Sequence, residues 1–175
     1  RAASVSSARR CVFETVQELS EAEPALLDAQ AAVSNIKKQH LSEVRSMTNP
    51  PSPVKLAMES VCILLGHRVE GWKSVQSLIR RDDFISTVVH LDTAHIPQAL
   101  RERLQREYLD RPEYNIDSIY RASSACGPLA RWVLAQIHYA HILESVGPLR
   151  AHGQILEEHA SLTRQAAGTA AAAGA

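Results

Sequence analysis

Two stretches of heptad-spaced apolar residues, one towards each end of the chain, constrain the fold most. In the first stretch, apolar residues recur every seven positions: Val12, Leu19, Leu26 and Val33. A second series follows the last three of them by three positions: Ala22, Ala29 and Ile36. The second stretch follows the same spacing: Tyr139, Ile142, Val146, Leu149 and Leu156. A narrow stripe of this period is typical of a helix in a two-stranded coiled coil. Two such helices around a long middle segment predict an antiparallel hairpin with a globular cap at its turn.

The first stripe does not define a single register. Its leucines can instead be paired with Val16 and Glu23 as the other seam position, so the heptad does not fix one register strongly. The two pairings turn different flanks of the helix towards the partner, so the pattern is compatible with sliding between two registers. Pro24 and Pro148 lie inside the two stripes, and each predicts a kink unless the partner helix compensates for the lost hydrogen bond.

Helix-breaking residues between the stripes predict a cap of short helices. Asn49–Pro51 ends the first long helix, Gly66 ends a nearly all-apolar segment, and Gly127–Pro128 precedes the return helix. Three residues are suited to cap helix starts: Ser52, Asp82 and Asn115. A strand is an alternative only in the β-branched run around Val88.

These patterns predict an all-α fold in which a helical domain caps an antiparallel coiled coil. The predicted division is an N-terminal coiled-coil strand at 1–36, a helical domain at 37–140, and a C-terminal strand at 141–175 with a low-complexity end. Apolar runs are far shorter than the roughly 20 residues of a membrane span. No charged-then-apolar leader is visible, so we expect a soluble chain that is not secreted.

The residues offer no recognisable catalytic, cofactor or metal site. The sequence lacks a GxxxxGK[ST] phosphate loop, an HExxH motif and a GxSxG motif. Cys11, Cys62 and Cys126 have no CxxC spacing, so buried reduced thiols are expected. His138 and His141 lie three residues apart without a third ligand nearby. We therefore predict a chain that is not an enzyme and binds no cofactor.

Charge is unevenly distributed although the formal net charge is zero. Five acidic residues and no Lys or Arg lie between Cys11 and Ile36, whereas residues 37–139 contain fourteen Lys or Arg and eleven Asp or Glu. Basic residues gather at helix ends of the predicted cap, which favours a multi-point contact with an acidic surface. An RNA-binding coiled-coil arm is the alternative. An acidic arm and only 5% aromatic residues argue against it.

Long ordered motifs across residues 20–150 resemble the stalk head of cytoplasmic dynein heavy chains. The runs are IKKQHLSEVRSM (36–47), NPP (49–51), VKL (54–56), ESVCILLG (59–66), WK (72–73), DFI (83–85), YN (114–115) and RASSACGP (121–128). The segments around Pro24 and Pro148 are similar to the paired stalk prolines of the family. Gly147 departs from it, because many relatives have an acidic residue there.

The resemblance implies a small bundle of about six helices that binds microtubules of α/β-tubulin, with no nucleic-acid or membrane partner. The ATPase ring of the motor lies outside such a chain, so ATP is not a ligand here. Half-heptad sliding of the coiled coil is expected to switch affinity. The parent chain is expected to be a homodimer in a multi-subunit, minus-end-directed motor located in the cytoplasm on microtubules. An axonemal stalk head is the alternative.

By matching position, the resemblance also implies which residues contact the microtubule. The expected site residues are Lys37, Lys38, His40, Glu43 and Arg45 on the first cap helix, Arg81 on the third, Asp117 and Arg121 on the sixth, and Arg131 further along. Glu43 and Asp117 are acidic, so they are expected to limit affinity or to form alternative internal pairs.

Overall fold

A computed structural model describes the backbone of residues 2–173 and the side chains of residues 10–148, 160–165, 167 and 168. Every regular element within these residues is helical. The long helices are α1 (Ala2–Ser34) and α8 (Cys126–Ala173). Between them lie α2 (Lys38–Ser46), α3 (Ser52–Leu64), α4 (Trp72–Ile79), α5 (Phe84–Val89), α6 (Gln98–Leu104) and α7 (Ile116–Ala122). A 3-10 turn at Thr93–His95 precedes α6, and a π-helical turn at Gln105–Leu109 extends it. The predicted all-α fold class is confirmed.

The chain divides into two compact units. One contains Arg1–Leu19 together with His141–Ala175, and the other contains Ser20–Ala140. The first unit combines the N-terminal part of α1 with the C-terminal part of α8, as the two strands of an antiparallel hairpin require. The second unit holds the short helices with the adjoining turns of α1 and α8. The division at 1–36, 37–140 and 141–175 stays a prediction.

One of the two possible seams of α1 is covered. The covered residues alternate in spacing between four and three: Thr15, Leu19, Ala22, Leu26, Ala29 and Val33. By contrast, Val16 is 54% exposed and Glu23 is exposed. Ala22 and Ala29, three places after Leu19 and Leu26, therefore belong to the covered seam. Val12, at the start of the stripe, is 40% exposed.

The stripe of α8 is covered where the structure describes it. Ile142 and Val146 are buried, and Tyr139 is half-buried. Leu149 and Leu156 lie outside the residues whose side chains are described. Helix α8 continues through Gly147 and Pro148 without a break.

Helix α3 forms the centre of the second unit. Nine of its 13 residues are buried, which agrees with the nearly all-apolar sequence. It contacts α4, α6 and α7. Val33 of α1 and Trp132 of α8 belong to the same core.

Gly66 ends α3 as the sequence predicts. Its φ of 88° lies in the left-handed region, where glycine pays no steric penalty. The Gly66 N–H donates to the Ile63 carbonyl at 2.9 Å, and the His67 N–H donates to the Cys62 carbonyl at 3.0 Å. This pair of bonds is the Schellman motif, which satisfies the last carbonyl groups of a helix.

The first long helix ends earlier than predicted. It stops at Ser34, and α2 begins only at Lys38, so the segment up to Asn49 is not one helix. Lys37 has an extended backbone with ψ of 139°. Ile36 is partly buried and packs against the core. Burial of this side chain stabilises the break between the two helices, where neither Gly nor Pro stands.

Two predicted helix caps are wrong, and one is confirmed. Pro51 occupies the N-cap of α3 because its carbonyl accepts the first helical bond, from Lys55, so Ser52 already lies in the helix. Asp83, not Asp82, occupies the N-cap of α5, where no side-chain bond forms. Asn115 caps α7 as expected.

Only two of the three cysteines are buried, so the expectation of buried thiols is wrong for Cys11. Cys11 lies on an exposed turn of α1. Burial raises the pKa of the Cys62 thiol to about 12 and that of Cys126 to about 11. Both buried thiols are therefore neutral near pH 7 and poor nucleophiles.

A polar pair lies inside the core between the 3-10 turn and α8. The Thr93 hydroxyl donates to Gln136 Oε1 at 2.6 Å, and Gln136 is fully buried. Among the described residues, neither Gln136 Nε2 nor Trp132 Nε1 has a hydrogen-bond acceptor. The Thr93–Gln136 bond is thus the one that orients this amide.

This pair yields a stability prediction. Thr93→Val leaves Gln136 Oε1 without its donor, and Gln136→Met leaves the Thr93 hydroxyl without its acceptor, so each variant should lose about 1–3 kcal/mol of unfolding free energy. The double variant should lose clearly less than the sum, because no unpaired group remains. Urea unfolding of the four proteins measures the coupling. If the losses of the two single variants simply add up in the double variant, the hydrogen bond between Thr93 and Gln136 is contradicted.

Candidate partner-binding surface

Helix α2 turns a polar face to solvent. The predicted site residues on this segment are Lys37, Lys38, His40, Glu43 and Arg45. The two lysines and Glu43 are exposed, whereas His40 and Arg45 are half-buried. Leu41 and Val44, three residues apart on one side, are buried. Packing of these two side chains therefore directs the charged face outwards.

Helices α2 and α4 cap each other. Arg45 Nε donates to the Ile79 carbonyl at 2.7 Å. In return, Gln76 Nε2 donates to the carbonyls of Arg45 at 3.2 Å and Met47 at 2.6 Å, and Trp72 Nε1 donates to Met47 at 2.7 Å. Each helix thus supplies donors for terminal carbonyls that its partner cannot satisfy internally. We call this arrangement the α2–α4 clamp.

The clamp gives Arg45 a structural role. Its guanidinium lies at the C-terminal end of α4, where a positive charge is also favoured by the helix dipole. Its second nitrogen, Nη2, is 3.5 Å from the Arg81 carbonyl. Of the predicted site residues, Arg45 and Arg81 are therefore brought together.

Arg81 itself is paired with an acid. Its Nε and Nη2 donate to the two carboxylate oxygens of Asp83, each at 3.1 Å. Both side chains are more than half exposed. An exposed pair contributes little to stability, so this pairing mainly lowers the net positive charge that Arg81 presents.

The position of α7 is determined by the residues just before it. Ser60 of α3 donates its hydroxyl hydrogen to the Ala57 carbonyl at 2.6 Å. The Tyr114 hydroxyl lies 3.0 Å from Ser60 Oγ and is therefore the donor in that bond. Burial also raises the Tyr114 pKa, which keeps the phenol protonated. This bond ties the start of α7 to the central helix.

Helix α7 presents its two predicted site residues to solvent. Asn115 Oδ1 accepts the Ser118 N–H at 3.1 Å, and Ile119 is buried. Asp117 and Arg121 are exposed, one turn apart. They form no ion pair with each other, and among the described residues neither has a charged partner elsewhere.

Arg131 is exposed on α8. In the part of the chain that the structure describes, no hydrogen bond or ion pair joins Asp117, Arg121 or Arg131 to α2. A groove of about 550 Å³ runs beside α2. Its lining residues are Ser34, Ile36, Lys38, Leu41, Ser42, Arg45, Asp82 and Ile85.

Sequence analysis missed the contributions of Trp72 and Gln76. Trp72 entered that analysis only within the WK motif (72–73), and Gln76 is part of no motif. A glutamine beside the buried Val75 was the available signal, because a polar group at a covered position needs a hydrogen-bond partner.

The described part of the chain has neither a metal-binding cluster nor a helix suited to span a membrane. It contains no group of three or more His, Cys, Asp or Glu side chains placed to hold a metal ion. None of its helices combines the length and hydropathy that a membrane span needs.

Most of the chain is matched by a family model. The model is described as the microtubule-binding stalk of dynein motor, and it matches residues 6–172. The chain belongs to this dynein stalk family. The resemblance seen in the sequence motifs is therefore confirmed.

Several curated relatives of this dynein stalk are named "Dynein heavy chain, cytoplasmic". The Neurospora crassa protein is 49% identical over 163 residues, covering 93% of this chain and 4% of the relative. The Drosophila melanogaster protein is 49% identical over 146 residues, covering 83% and 3%. The Saccharomyces cerevisiae protein is 45% identical over 150 residues, covering 85% and 4%. The chain thus spans only about 4% of the length of such relatives.

A solved structure has the same architecture. It is named "Microtubule Binding Domain of DYNEIN-C" and is 27% identical, with a TM-score of 0.66. The match covers 77% of this chain and 94% of the other. Which side chains of the dynein stalk contact a partner stays a prediction.

The α2–α4 clamp predicts that the loss of Arg45 and the loss of Lys38 have different effects on the stability of this dynein stalk. Arg45→Met leaves terminal carbonyls of α4 without their donor, so we expect a loss of about 1–2 kcal/mol in unfolding free energy. Lys38→Met removes a positive charge from the same helix at an exposed position, and we expect a change within about 0.5 kcal/mol. Urea unfolding followed by circular dichroism measures both. Equal effects would mean that the clamp does not stabilise the bundle.

Proposed function

We propose that this dynein stalk binds microtubules through the exposed charged faces of α2 and α7. The observation that supports this most is the state of Lys37, Lys38 and Arg121. All three are exposed, and within the described residues none of them takes part in an ion pair. Their charge is therefore available to an acidic partner surface, where it can increase both the association rate and the specificity.

The remaining predicted site residues differ in whether another group of the molecule already engages their charge. Arg45 and Arg81 are engaged by the clamp and by Asp83, which makes them secondary contacts. Glu43 and Asp117 have no charged partner among the described residues, so we propose that they limit affinity by facing an acidic surface. His40 and Arg131 complete the proposed site at its edges.

We further propose that the chain is the stalk head of a cytoplasmic dynein motor. Its relatives carry that name, and this segment accounts for only a small fraction of their length. In this proposal the chain is a binding domain without ATP or any other cofactor, and the rest of the heavy chain hydrolyses ATP. The motor would be a homodimer in a multi-subunit complex that moves towards microtubule minus ends in the cytoplasm.

Co-sedimentation with polymerised tubulin tests the binding proposal. The parent chain should bind, and its affinity should fall as salt rises, since exposed charges are screened. The Lys38→Glu/Arg121→Glu variant places like charges against an acidic surface, so its dissociation constant should rise at least about tenfold.

A charge-matched control makes this test specific. Arg106→Glu/Arg111→Glu changes the net charge equally, at two other exposed positions. We expect it to bind within about twofold of the parent, because neither residue lies on α2 or α7. A parent chain that fails to sediment at low salt would overturn the proposal, and so would equal losses in the two double variants.

We also propose that affinity depends on the coiled-coil register. The support is the state of α1, where Ala22 is buried while Val16, the residue of the alternative seam, is 54% exposed. A large apolar side chain left exposed on a coiled-coil helix gains burial in the other register. Two pairings of similar stability are the requirement for a two-state switch.

Substitutions at the two seams test this coupling. Ala22→Glu puts a carboxylate into the seam that is covered here, whereas Val16→Glu puts one into the alternative seam, so the two variants favour opposite registers. Their dissociation constants for microtubules should therefore shift in opposite directions from the parent value. Shifts in the same direction, or no shift in folded proteins, would count against register coupling.

A further inference from the structure

A tyrosine lies between the charges of α7. Tyr120 is 38% exposed, three residues after Asp117 and directly before Arg121. Residues three and four apart share one helix face, so these three side chains lie on the same side. Ile119 points the other way and is fully buried.

The Tyr120 ring lies against the start of α8. A Cβ placed on Gly127 would be 2.4 Å from Tyr120 Cδ1 and 2.5 Å from Cγ. Such distances are shorter than any non-bonded contact between carbons, so only glycine leaves room for the ring. The Ser123 hydroxyl accepts the Cys126 N–H at 3.3 Å and caps this first turn. The ring is therefore supported by a capped helix end.

We infer that Tyr120 is a microtubule-contacting residue of this stalk and the aromatic anchor of the α7 face. The inference rests on the proposed function and names a residue that charge patterns do not reveal. The partner surface that fits has an apolar patch or a hydrogen-bond acceptor beside the acidic groups that Arg121 meets.

The support from α8 explains why this side chain suits binding. A long, flexible side chain loses rotamer freedom when a partner immobilises it, and that loss weakens binding. The Tyr120 ring packs on the backbone at Gly127, so it has less of this freedom to lose on binding. Its hydroxyl also has no hydrogen-bond partner among the described residues. A rigid, amphipathic aromatic side chain of this kind is a frequent hot spot in interfaces.

Co-sedimentation of three variants tests the inference. Tyr120→Ala should raise the dissociation constant for microtubules about tenfold. Tyr120→Phe keeps the ring and should stay within about threefold of the parent. Gly127→Ala keeps the tyrosine but displaces its ring, so its affinity should lie between those of the parent and Tyr120→Ala. Leu27→Ala removes another exposed apolar side chain, 59% exposed on α1, and should bind like the parent.

The outcomes distinguish this inference from the proposed function. If the parent does not sediment, the proposed function fails. If the parent binds and folded Tyr120→Ala binds equally well, or if Leu27→Ala loses as much affinity, Tyr120 is not the anchor.

Hydroxyl-radical footprinting of the parent chain gives a test without any substitution. Microtubules should protect Tyr120 but not Phe13, which is 70% exposed on α1. Unprotected Tyr120 would overturn the inference even if Tyr120→Ala fails to fold.

Discussion

The burial of α3 on almost all sides is the constraint on which the cap depends. A 13-residue helix with nine buried residues has to be surrounded by other helices. Helices α4, α6 and α7 contact it, and α1 and α8 add Val33 and Trp132 to the same core. Each surrounding helix then needs only one apolar face. Their other faces remain free for charge, which is why the candidate site consists of short amphipathic helices.

Short helices of this kind cannot orient charges by themselves. Helix α2 has nine residues, fewer than an isolated helix needs to be stable in water. Its orientation comes from two buried side chains and from the α2–α4 clamp. The clamp joins the ends of the two helices, so the direction of the α2 charges is coupled to the packing of α4. A proposed binding residue and a stabilising residue therefore lie on the same short helix, two turns apart, as Lys38 and Arg45 show.

The sequence predicted the features that depend on local chemistry. The heptads indicated the coiled coil, Gly66 marked the end of α3 through its left-handed backbone, and Asn115 capped α7 through its own side chain. The break between Ser34 and Lys38 was not predicted, because no Gly or Pro marks it and the burial of Ile36 that accompanies it depends on tertiary packing.

The candidate site was predictable to a smaller extent. The exposed residues Lys38, Asp117 and Arg121 follow from charge at helical spacing together with the family resemblance. The use of Arg45 inside the molecule could not be predicted, because its acceptor lies 34 residues away on another helix. The support of Tyr120 by Gly127 likewise depends on the meeting of two helices.

The three residues between α1 and α2 have a mechanical consequence. An extended link of three residues spans up to about 10 Å, whereas one helical turn is only about 5.4 Å long. If α1 shifts along its axis, the link absorbs only the difference between its present span and this limit, and Lys37 is already extended. The rest of the shift is passed on to α2. In the proposed register switch, the packing of Ile36 against the core is the contact that governs how much of this movement reaches the charged face of α2.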